Sequence, residues 1–257
     1  MNDKAPVLTA REERVLRITL NRPEKRNAIN SAMCRAVIEA VEAAEEDPGI
    51  GAILIESTGS MFCAGMDLDE AIAPEAAEQT AIHERLFTMG ARIRKPIVAA
   101  VQGTALGGGV GLIANAHVVV AAQGATFGLT EIRIGMWPFV IYRAIRMAFG
   151  ERRALELSLT GRIFGMNEAV QWGLVHHAVP AFELDDRATA IATGLAASSP
   201  DAIRSGLEFV YASREMGVLE AGELAARMRG EIFAGEEFQE GVRALREKRT
   251  PRWSSRE

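Results

Sequence analysis

Two short glycine-containing segments, Phe62-Cys63-Ala64-Gly65-Met66-Asp67 and Gly103-Thr104-Ala105-Leu106-Gly107-Gly108-Gly109, decide the fold of this 257-residue chain. Each follows an apolar run rich in β-branched residues, Ile53-Leu54-Ile55 before the first and Ile97-Val98-Ala99-Ala100-Val101 before the second. Such runs predict strands. Each glycine segment is therefore predicted to be a turn at the carboxyl end of a strand.

The chemistry of these turns follows from their backbone. Glycine lets a backbone approach a ligand closely, and the amphipathic stretch after each turn indicates the start of a helix, where unpaired N–H groups favour negative charge. Two such turns that converge on one point would form an oxyanion hole. For Gly107-Gly108-Gly109 taken alone, an ordinary connection between a strand and a helix is an alternative interpretation.

A nucleotide-binding interpretation of the second segment is weaker. Gly109, Gly111 and Ala114 have the spacing of a dinucleotide fingerprint, and Glu131 follows roughly twenty residues later. In a Rossmann unit, however, the acidic residue ends the next strand, whereas the strand predicted over residues 117–122 ends well before Glu131. No Gly-Lys-Ser/Thr sequence follows the glycines, which also argues against a P-loop.

Composition limits the class of protein. A hydrophobic content of 48% in 257 residues is enough for one large domain, or for one domain with a small appendage. The formal net charge of −5 argues against a nucleic acid partner. Cys34 and Cys63 lack Cys-x-x-Cys spacing, which fits a reducing compartment. Because the sequence has no apolar leader or long apolar run, we expect a cytoplasmic location and no membrane association.

Alternating strand and helix patterns predict an α/β domain. The strand at residues 15–20 is expected to pair with residues 6–10, and Asn30 or Ser31 is expected to begin a helix that ends near Glu46. The polar, alanine-rich stretch 69–79 is predicted to contain a mobile loop. Further helices are predicted at about 82–93, 108–114, 137–148, 151–159 and 167–172, with only helices from about residue 183 onward.

Five motifs in a fixed order resemble the crotonase family, also called the enoyl-CoA hydratase/isomerase family. They are Ile18-Thr19-Leu20-Asn21-Arg22-Pro23 with Asn27-Ala28, the first glycine turn, the second glycine turn, Phe127-Gly128-Leu129-Thr130-Glu131 and Gly173-Leu174-Val175. The resemblance reaches Glu247-Lys248-Arg249 near the end of the chain. The resemblance implies a spiral of β-β-α units, here expected over residues 1–195 with the acyl-CoA site. It also implies a C-terminal helical oligomerisation segment, expected over residues 196–257, which would assemble a homotrimer or a dimer of trimers.

The same resemblance assigns the catalytic groups. The backbone N–H groups of Met66 and Gly108 would hold the thioester oxygen, and Glu131 would be the acid–base residue. The expected substrate is an acyl-CoA thioester, with coenzyme A as part of the substrate, no separate cofactor and no metal. The residues expected to contact coenzyme A are Lys25, Arg26, Ala28, Ala64, Asp67, Leu68 and, by its match to a C-terminal lysine, Lys248. Asp69 replaces a lysine of some relatives, which makes a phosphate contact there doubtful.

One departure from the family pattern guides the choice of reaction. Hydratases of the family use two glutamates, and the position of the second is Gly111 in this chain. The one-acid pattern, and the segment from Gly128 to Phe139, look more like the Δ3,Δ2-enoyl-CoA isomerases of the family. Phe139 would narrow the wet side of the pocket. A hydratase lacking one acid, another reaction of the family and a non-catalytic acyl-CoA binder remain alternatives.

Several other side chains are interpreted as structural. Cys63 is expected to be a small packing residue rather than a nucleophile. His83-Glu84 lacks the second histidine of a His-Glu-x-x-His zinc site, because position 87 is Phe87. We expect the three tryptophans to lie in the core or at an interface: Trp137, Trp172 and Trp253.

Overall fold

A computed structural model of the chain describes residues 5–72 and 76–254. The strands of this part are β1 (Val7–Glu12), β2 (Val15–Leu20), β3 (Ala52–Ser57), β4 (Met61–Cys63), β5 (Ile97–Val101), β6 (Thr104–Leu106), β7 (Val118–Ala122), β8 (Thr126–Gly128), β9 (Ile163–Gly165) and β10 (His177–Val179). The α-helices are α1 (Ser31–Glu46), α2 (Leu68–Ala71), α3 (Ala76–Phe87), α4 (Met89–Arg92), α5 (Gly108–Asn115), α6 (Phe139–Phe149), α7 (Glu151–Thr160), α8 (Met166–Gln171), α9 (Leu184–Ala196), α10 (Pro200–Ala212), α11 (Val218–Ala234) and α12 (Glu236–Glu247).

The strands form two sheets. The larger has the order β1-β2-β3-β5-β7-β10, and the smaller has the order β4-β6-β8-β9. Pairing is parallel except between β1 and β2 and between β8 and β9. The three central passes of the chain, which begin at β3, β5 and β7, each add one strand to the larger sheet, then one to the smaller, and then helical structure. This succession confirms the α/β class and the repeating β-β-α unit.

The second strands of the first two units, β4 and β6, were not predicted, whereas a short extended segment around Thr126 and Phe127 was predicted and is β8. Phe62 and Cys63 belong to β4, and Thr104 to Leu106 form β6, so part of each predicted glycine turn is a strand of three residues. Parallel pairing of β4 with β6 lays the two glycine segments side by side. The predicted loop at 69–79 is also wrong in part, because α2 and α3 occupy both of its ends; residues 73–75 lie outside the described part.

The central strands of the larger sheet, β3, β5 and β7, are buried on both faces. Ile53 and Ile55 of β3 contribute to the main core, which α1 covers, whereas Leu54 faces a second cluster beneath α9. This alternation reflects the two-residue period of a strand. The N-terminus of α1 is as predicted, because the Asn30 side chain accepts a hydrogen bond from the Met33 N–H at 2.9 Å. The rigid sheet holds the glycine segments at its carboxyl edge.

The chain after α9 consists of helices, as predicted. The Ser199 hydroxyl donates to Glu237 at 2.5 Å, and the Trp253 indole N–H donates to the Ala197 carbonyl at 2.9 Å, which ties α12 and the chain after it to the start of α10. The proposed boundary near residue 196 and the oligomerisation role of the last segment stay predictions. Among residues 5–72 and 76–254, no helix has the length and apolar character needed to cross a bilayer.

A buried asparagine fixes the loop that precedes α1. Asn27 has no solvent exposure and a left-handed backbone with φ of 53°. Its side-chain oxygen accepts from the Arg22 N–H at 2.8 Å, and its amide donates to the carbonyls of Thr58 and Met61 at 2.7 and 3.0 Å. Asparagine tolerates the left-handed conformation and offers both donors and acceptors. It therefore joins the Arg22-to-Ala28 loop to the chain around β4.

Replacing Asn27 by alanine should lower the free energy of unfolding by about 2–4 kcal/mol, because buried backbone groups lose their partners and alanine is strained at this φ. Urea unfolding followed by circular dichroism measures the loss. Asn30→Ala, which removes a single capping hydrogen bond at a partly buried position, is the matched control and should cost only about 1 kcal/mol. Equal losses in the two variants would contradict the role given to Asn27.

Candidate active site

A cavity of about 520 Å³ opens where the two glycine segments meet. Its volume lies in the range typical of small-molecule sites. Residues from the predicted site surround it, and they are Lys25, Arg26, Ala28, Ala64, Met66, Asp67, Leu68, Gly108 and Glu131. All predicted site residues except Lys248 therefore border one cavity.

The two glycine segments touch through their backbones. Gly65 has φ of +95°, and a Cβ atom placed there would lie 3.1 Å from the Leu106 carbonyl oxygen and 3.6 Å from the Gly108 nitrogen. A Cβ at Gly109 would lie 2.7 Å from the Cys63 carbonyl oxygen. Neither position has room for a side chain. The Gly65-Met66 peptide and the Gly108 nitrogen are neighbours for this reason.

The Met66 N–H is left without a protein partner. The Gly65 carbonyl accepts from the Ile29 N–H at 2.7 Å, and the Asp67 N–H donates to the Ile29 carbonyl at 2.8 Å. Because successive peptide groups of an extended chain point to opposite sides, the N–H of Met66 itself points away from Ile29. Within the described residues it has no acceptor. It is thus available to a ligand.

The second donor lies at the start of a helix. Gly108 is the first residue of α5, so its N–H has no acceptor within the helix. The preceding residue, Gly107, has φ of +50°, and this positive φ turns the chain into the helix. The helix dipole adds a partial positive charge at this end. Met66 and Gly108 thus supply two N–H groups of the kind that an oxyanion needs; their catalytic role stays a prediction.

Glu131 lies beside the second donor. It begins a short 3-10 helix (Glu131–Ile134), and only 7% of its surface is exposed. One carboxyl oxygen, Oε1, is 2.9 Å from the point where a Cβ of Gly107 would stand, and the other, Oε2, is buried without a hydrogen-bond partner. Burial raises the pKa of the Glu131 carboxyl above its ordinary value. A raised pKa makes a carboxylate a stronger base, which suits a group that takes up a proton.

The position of the second family glutamate is closed. Gly111 lies in α5, and a Cβ atom there would collide with Ile141, lying 2.9 Å from its Cβ and closer still to its Cγ2. The ring of Phe87 is 3.1 Å away. Apolar side chains thus occupy the space that a glutamate at position 111 would need. Two buried carboxylates border the cavity in the described part of the chain: Asp67 is paired with Arg22, whereas Glu131 Oε2 has no partner.

The residues predicted to contact coenzyme A, Lys248 excepted, border the cavity, and we call them the coenzyme A rim. Lys25 donates to Asp69 at 2.9 Å, and this ion pair raises the pKa of the lysine and lowers that of the aspartate. Both side chains are exposed, so the pair can open to an incoming phosphate at little cost. The Ala64 N–H donates to the Arg26 carbonyl at 3.0 Å. Backbone hydrogen bonding thus sets the shape of this rim.

Asp67 has a structural partner that the sequence did not reveal. Its carboxylate accepts from Arg22 at 2.9 Å, and both side chains are largely buried. The same arginine nitrogen donates to the Ala28 carbonyl at 2.6 Å. The ion pair therefore holds the Met66 loop against the loop before α1. Asp67 thus helps to orient the Met66 donor, besides bordering the cavity.

Three further residues were interpreted from the sequence: Lys248, Cys63 and Trp137. Lys248 ends α12 in a left-handed conformation and does not border the cavity of its own chain. Cys63 is fully buried, and burial raises the pKa of its thiol to about 12, in keeping with a packing role. Trp137 is only partly buried and lines the cavity, so it is not a core residue; the alternative of an interface stays a prediction.

One face of α3 borders the cavity and was missed. Thr80, His83 and Phe87 follow the spacing of a helical face, and the Phe87 ring packs against Gly108 and Gly111. From the sequence, His83 was considered only as a metal ligand. The spacing of His83 and Phe87 on a predicted helix was the available signal, but the helix was predicted from the neighbouring apolar face that includes Leu86.

Replacing Gly111 by alanine should lower the free energy of unfolding by about 1–3 kcal/mol, because the new Cβ displaces Ile141. Thermal or urea unfolding measures the effect. Gly230→Ala is the matched control: it lies in α11, its new Cβ meets nothing within 4 Å, and helix propensity favours alanine by about 1 kcal/mol. In an Ile141→Ala background the penalty at Gly111 should shrink. An unchanged penalty there would refute the collision.

Replacing Glu131 by glutamine should stabilise the protein at pH 8 by about 1 kcal/mol, and by less at pH 5. The folded-state pKa of Glu131 is raised, so wild-type stability falls as pH rises from the unfolded pKa through the folded pKa. The neutral amide carries no such loss. Urea unfolding of both proteins at the two pH values measures the difference, and a difference that does not grow with pH would contradict the buried carboxylate.

Comparison with known proteins finds relatives along almost the whole chain. Residues 10–256 match the sequence profile of a family described as enoyl-CoA hydratase/isomerase. A mevalonyl-coenzyme A hydratase of Aspergillus fumigatus is 37% identical over 246 residues, which cover 93% of this chain and 91% of that protein. A 2,3-dehydroadipyl-CoA hydratase of Escherichia coli is 34% identical over 254 residues, or 97% and 99% of the two chains.

Solved structures share the fold over almost the full length. An enoyl-CoA hydratase of Mycobacterium smegmatis superimposes with a TM-score of 0.91 at 30% identity, covering 97% of this chain and 99% of that chain. An enoyl-CoA hydratase of Bacillus anthracis gives 0.92 at 26% identity, with the same coverage. The spiral of β-β-α units, the two paired glycine segments and these matches agree: the chain belongs to the enoyl-CoA hydratase/isomerase family, as its motifs predicted.

Proposed function

We propose that the chain is an enoyl-CoA isomerase that moves a double bond between the β,γ and α,β positions of an acyl-CoA thioester. The observation that supports this choice is that Glu131 provides the one buried carboxyl without a partner at this cavity in the described part of the chain. Glu131 is present, whereas Ile141 and Phe87 fill the space beside Gly111. Addition of water across a double bond suits two carboxylates that flank one water, and a proton shuttle needs one.

The two N–H groups would stabilise the reaction's intermediate. Removal of a proton from the carbon between the thioester and the alkene leaves a dienolate, whose negative charge lies largely on the thioester oxygen. The N–H groups of Met66 and Gly108 would hold this oxygen more tightly than the neutral carbonyl. Donors of this kind are worth on the order of 3 kcal/mol each in the transition state.

Glu131 would both remove and return the proton. As a carboxylate it takes the proton from the α-carbon, and as a carboxylic acid it then gives the same proton to the γ-carbon, so no atom is gained or lost. Burial raises its pKa, which brings the two forms closer in free energy near neutral pH. The unpartnered Oε2 supports this role, because no arginine or lysine among residues 5–72 and 76–254 holds the carboxyl in its charged form.

The coenzyme A part of the substrate would lie along the coenzyme A rim. Lys25 and Arg26 border the cavity there and carry the positive charge that phosphates require. Backbone groups near Ala64 and the side chains of Asp67 and Leu68 would face the nucleotide. Lys248 would reach a site only from a neighbouring chain, which is why a homotrimer or a dimer of trimers belongs to this proposal.

A hydratase is the second candidate function, and the names of the relatives favour it. Both relatives described above are named hydratases, as are both solved structures. In that case Glu131 alone would have to activate the water and then protonate the α-carbon. A non-catalytic acyl-CoA binder is the candidate of another class, and it would share the cavity but turn over no thioester.

A panel of thioesters separates these candidates. We expect the purified protein to convert trans-3-hexenoyl-CoA to the 2-enoyl isomer, with unchanged mass and increased ultraviolet absorbance. Hydration of crotonyl-CoA at a comparable rate, seen as a gain of one water by mass spectrometry, would overturn the isomerase in favour of a hydratase. Thermal stabilisation by hexanoyl-CoA with no turnover of any thioester would favour the binder.

Replacing Glu131 by glutamine should lower the kcat of isomerisation by about 10²–10⁴-fold, because the amide cannot accept the proton. Binding of hexanoyl-CoA, measured by calorimetry, should change little because the N–H donors remain. Glu183→Gln alters an exposed glutamate ahead of α9 and is the matched control, with unchanged kcat. A Glu131→Gln variant that keeps most of its kcat would exclude the proton shuttle.

A further inference from the structure

His83 is a buried polar residue that the proposed reaction does not use. Only 9% of its surface is exposed, it lines the cavity, and its Nε2 atom has no hydrogen-bond partner. Among the described residues, two fully buried side-chain polar atoms have neither a hydrogen bond nor an ion pair: His83 Nε2 and Glu131 Oε2. Arg17 Nε, which also makes no hydrogen bond, is ion-paired with Glu12 at 2.9 Å.

The place of His83 on α3 puts it beside the acyl part of the cavity. It lies one helical turn before Phe87, with ring centroids 6.3 Å apart, and the Phe87 ring packs against Gly108. Phe87 thus lies next to the expected position of the thioester carbonyl, and His83 lies about 6 Å further along the helix axis. Thr80, another polar residue, lies about one turn before His83 on the same face of the helix.

An apolar acyl chain in this cavity would leave His83 without a partner. A buried polar group that finds no hydrogen bond weakens binding, whereas a substrate that supplies the partner avoids that loss. The torsion about the Cβ–Cγ bond of histidine is broad, so a ring nitrogen can turn toward a group in the cavity. The histidine therefore favours an acyl chain that carries a polar group some distance from the thioester.

The charges around the cavity decide which polar group fits. Burial lowers the pKa of His83, which keeps the imidazole neutral, and Glu70 acts on it more weakly in the other direction. Lys25 and Arg26, the cations that border the cavity in the described part of the chain, belong to the coenzyme A rim. A carboxylate would find no cation near His83 and would face Glu131. A hydroxyl group is neutral and can both donate and accept, so it suits either tautomer of the ring.

We propose that His83 selects acyl-CoA substrates whose acyl chain carries a hydroxyl group beyond the reacting carbons. This inference rests on the proposed function, because it assumes that the cavity takes an acyl-CoA thioester. His83 is a specificity-determining residue here, since the Phe87 ring lies between it and the N–H group of Gly108.

Calorimetric titration of the full-length protein tests the proposal with four thioesters: hexanoyl-CoA, 5-hydroxyhexanoyl-CoA, 6-hydroxyhexanoyl-CoA and adipoyl-CoA. At least one hydroxy compound should bind about tenfold or more tightly than hexanoyl-CoA. In His83→Phe this ratio should fall to about one, while His83→Gln, which keeps a donor and an acceptor, should retain part of it. The wild-type ratio needs no variant, so it tests the proposal even if a variant folds poorly.

The outcomes separate this inference from the proposed function. Hexanoyl-CoA or adipoyl-CoA binding as tightly as the better hydroxy compound would overturn the selection of a hydroxyl group, and so would a ratio that survives in His83→Phe. Failure to isomerise trans-3-hexenoyl-CoA, with the hydroxyl preference intact, would overturn the reaction and leave the role of His83 standing. If none of the four thioesters binds, both proposals fall.

Discussion

Backbone contact between the two glycine segments is the constraint on which the site depends. Pairing of β4 with β6 brings the segments together, but only the absent side chains of Gly65 and Gly109 let them touch. An oxyanion hole made of main-chain donors requires this closeness, because N–H groups cannot extend as side chains do. The hydrogen bonds between Ile29 and the residues flanking Met66 then fix the direction of one donor, and the start of α5 fixes the other.

Much of this arrangement could be predicted from local pattern. The apolar runs predicted the strands β3, β5 and β7, Asn30 predicted the start of α1, and the order of the motifs identified the family. The short strands β4 and β6 could not be predicted, because three residues are too few to establish a two-residue period. Their existence follows from pairing with each other, which is a long-range property.

The parts of the site that were missed also depend on long-range contacts. The absence of a second carboxylate was visible in the sequence at Gly111, but the reason that none fits there is Ile141, thirty residues away in sequence on another helix. The ion pair of Asp67 with Arg22 and the place of His83 beside the cavity were equally hidden. Spacing within one helix predicts a face, but only the packed fold shows what that face meets.

The unpartnered oxygen of Glu131 shows how stability and chemistry oppose each other in this cavity. A buried carboxyl oxygen without a hydrogen bond costs stability, on the order of 1–3 kcal/mol for a group of this kind. An arginine beside it would remove that cost, as Arg22 does for Asp67, but it would also lower the pKa and weaken the carboxylate as a base. Burial of Glu131 without such a partner has the opposite effect, because it raises the pKa of the carboxyl. The feature that makes Glu131 unfavourable for folding is therefore the one that suits it to carry a proton in both directions.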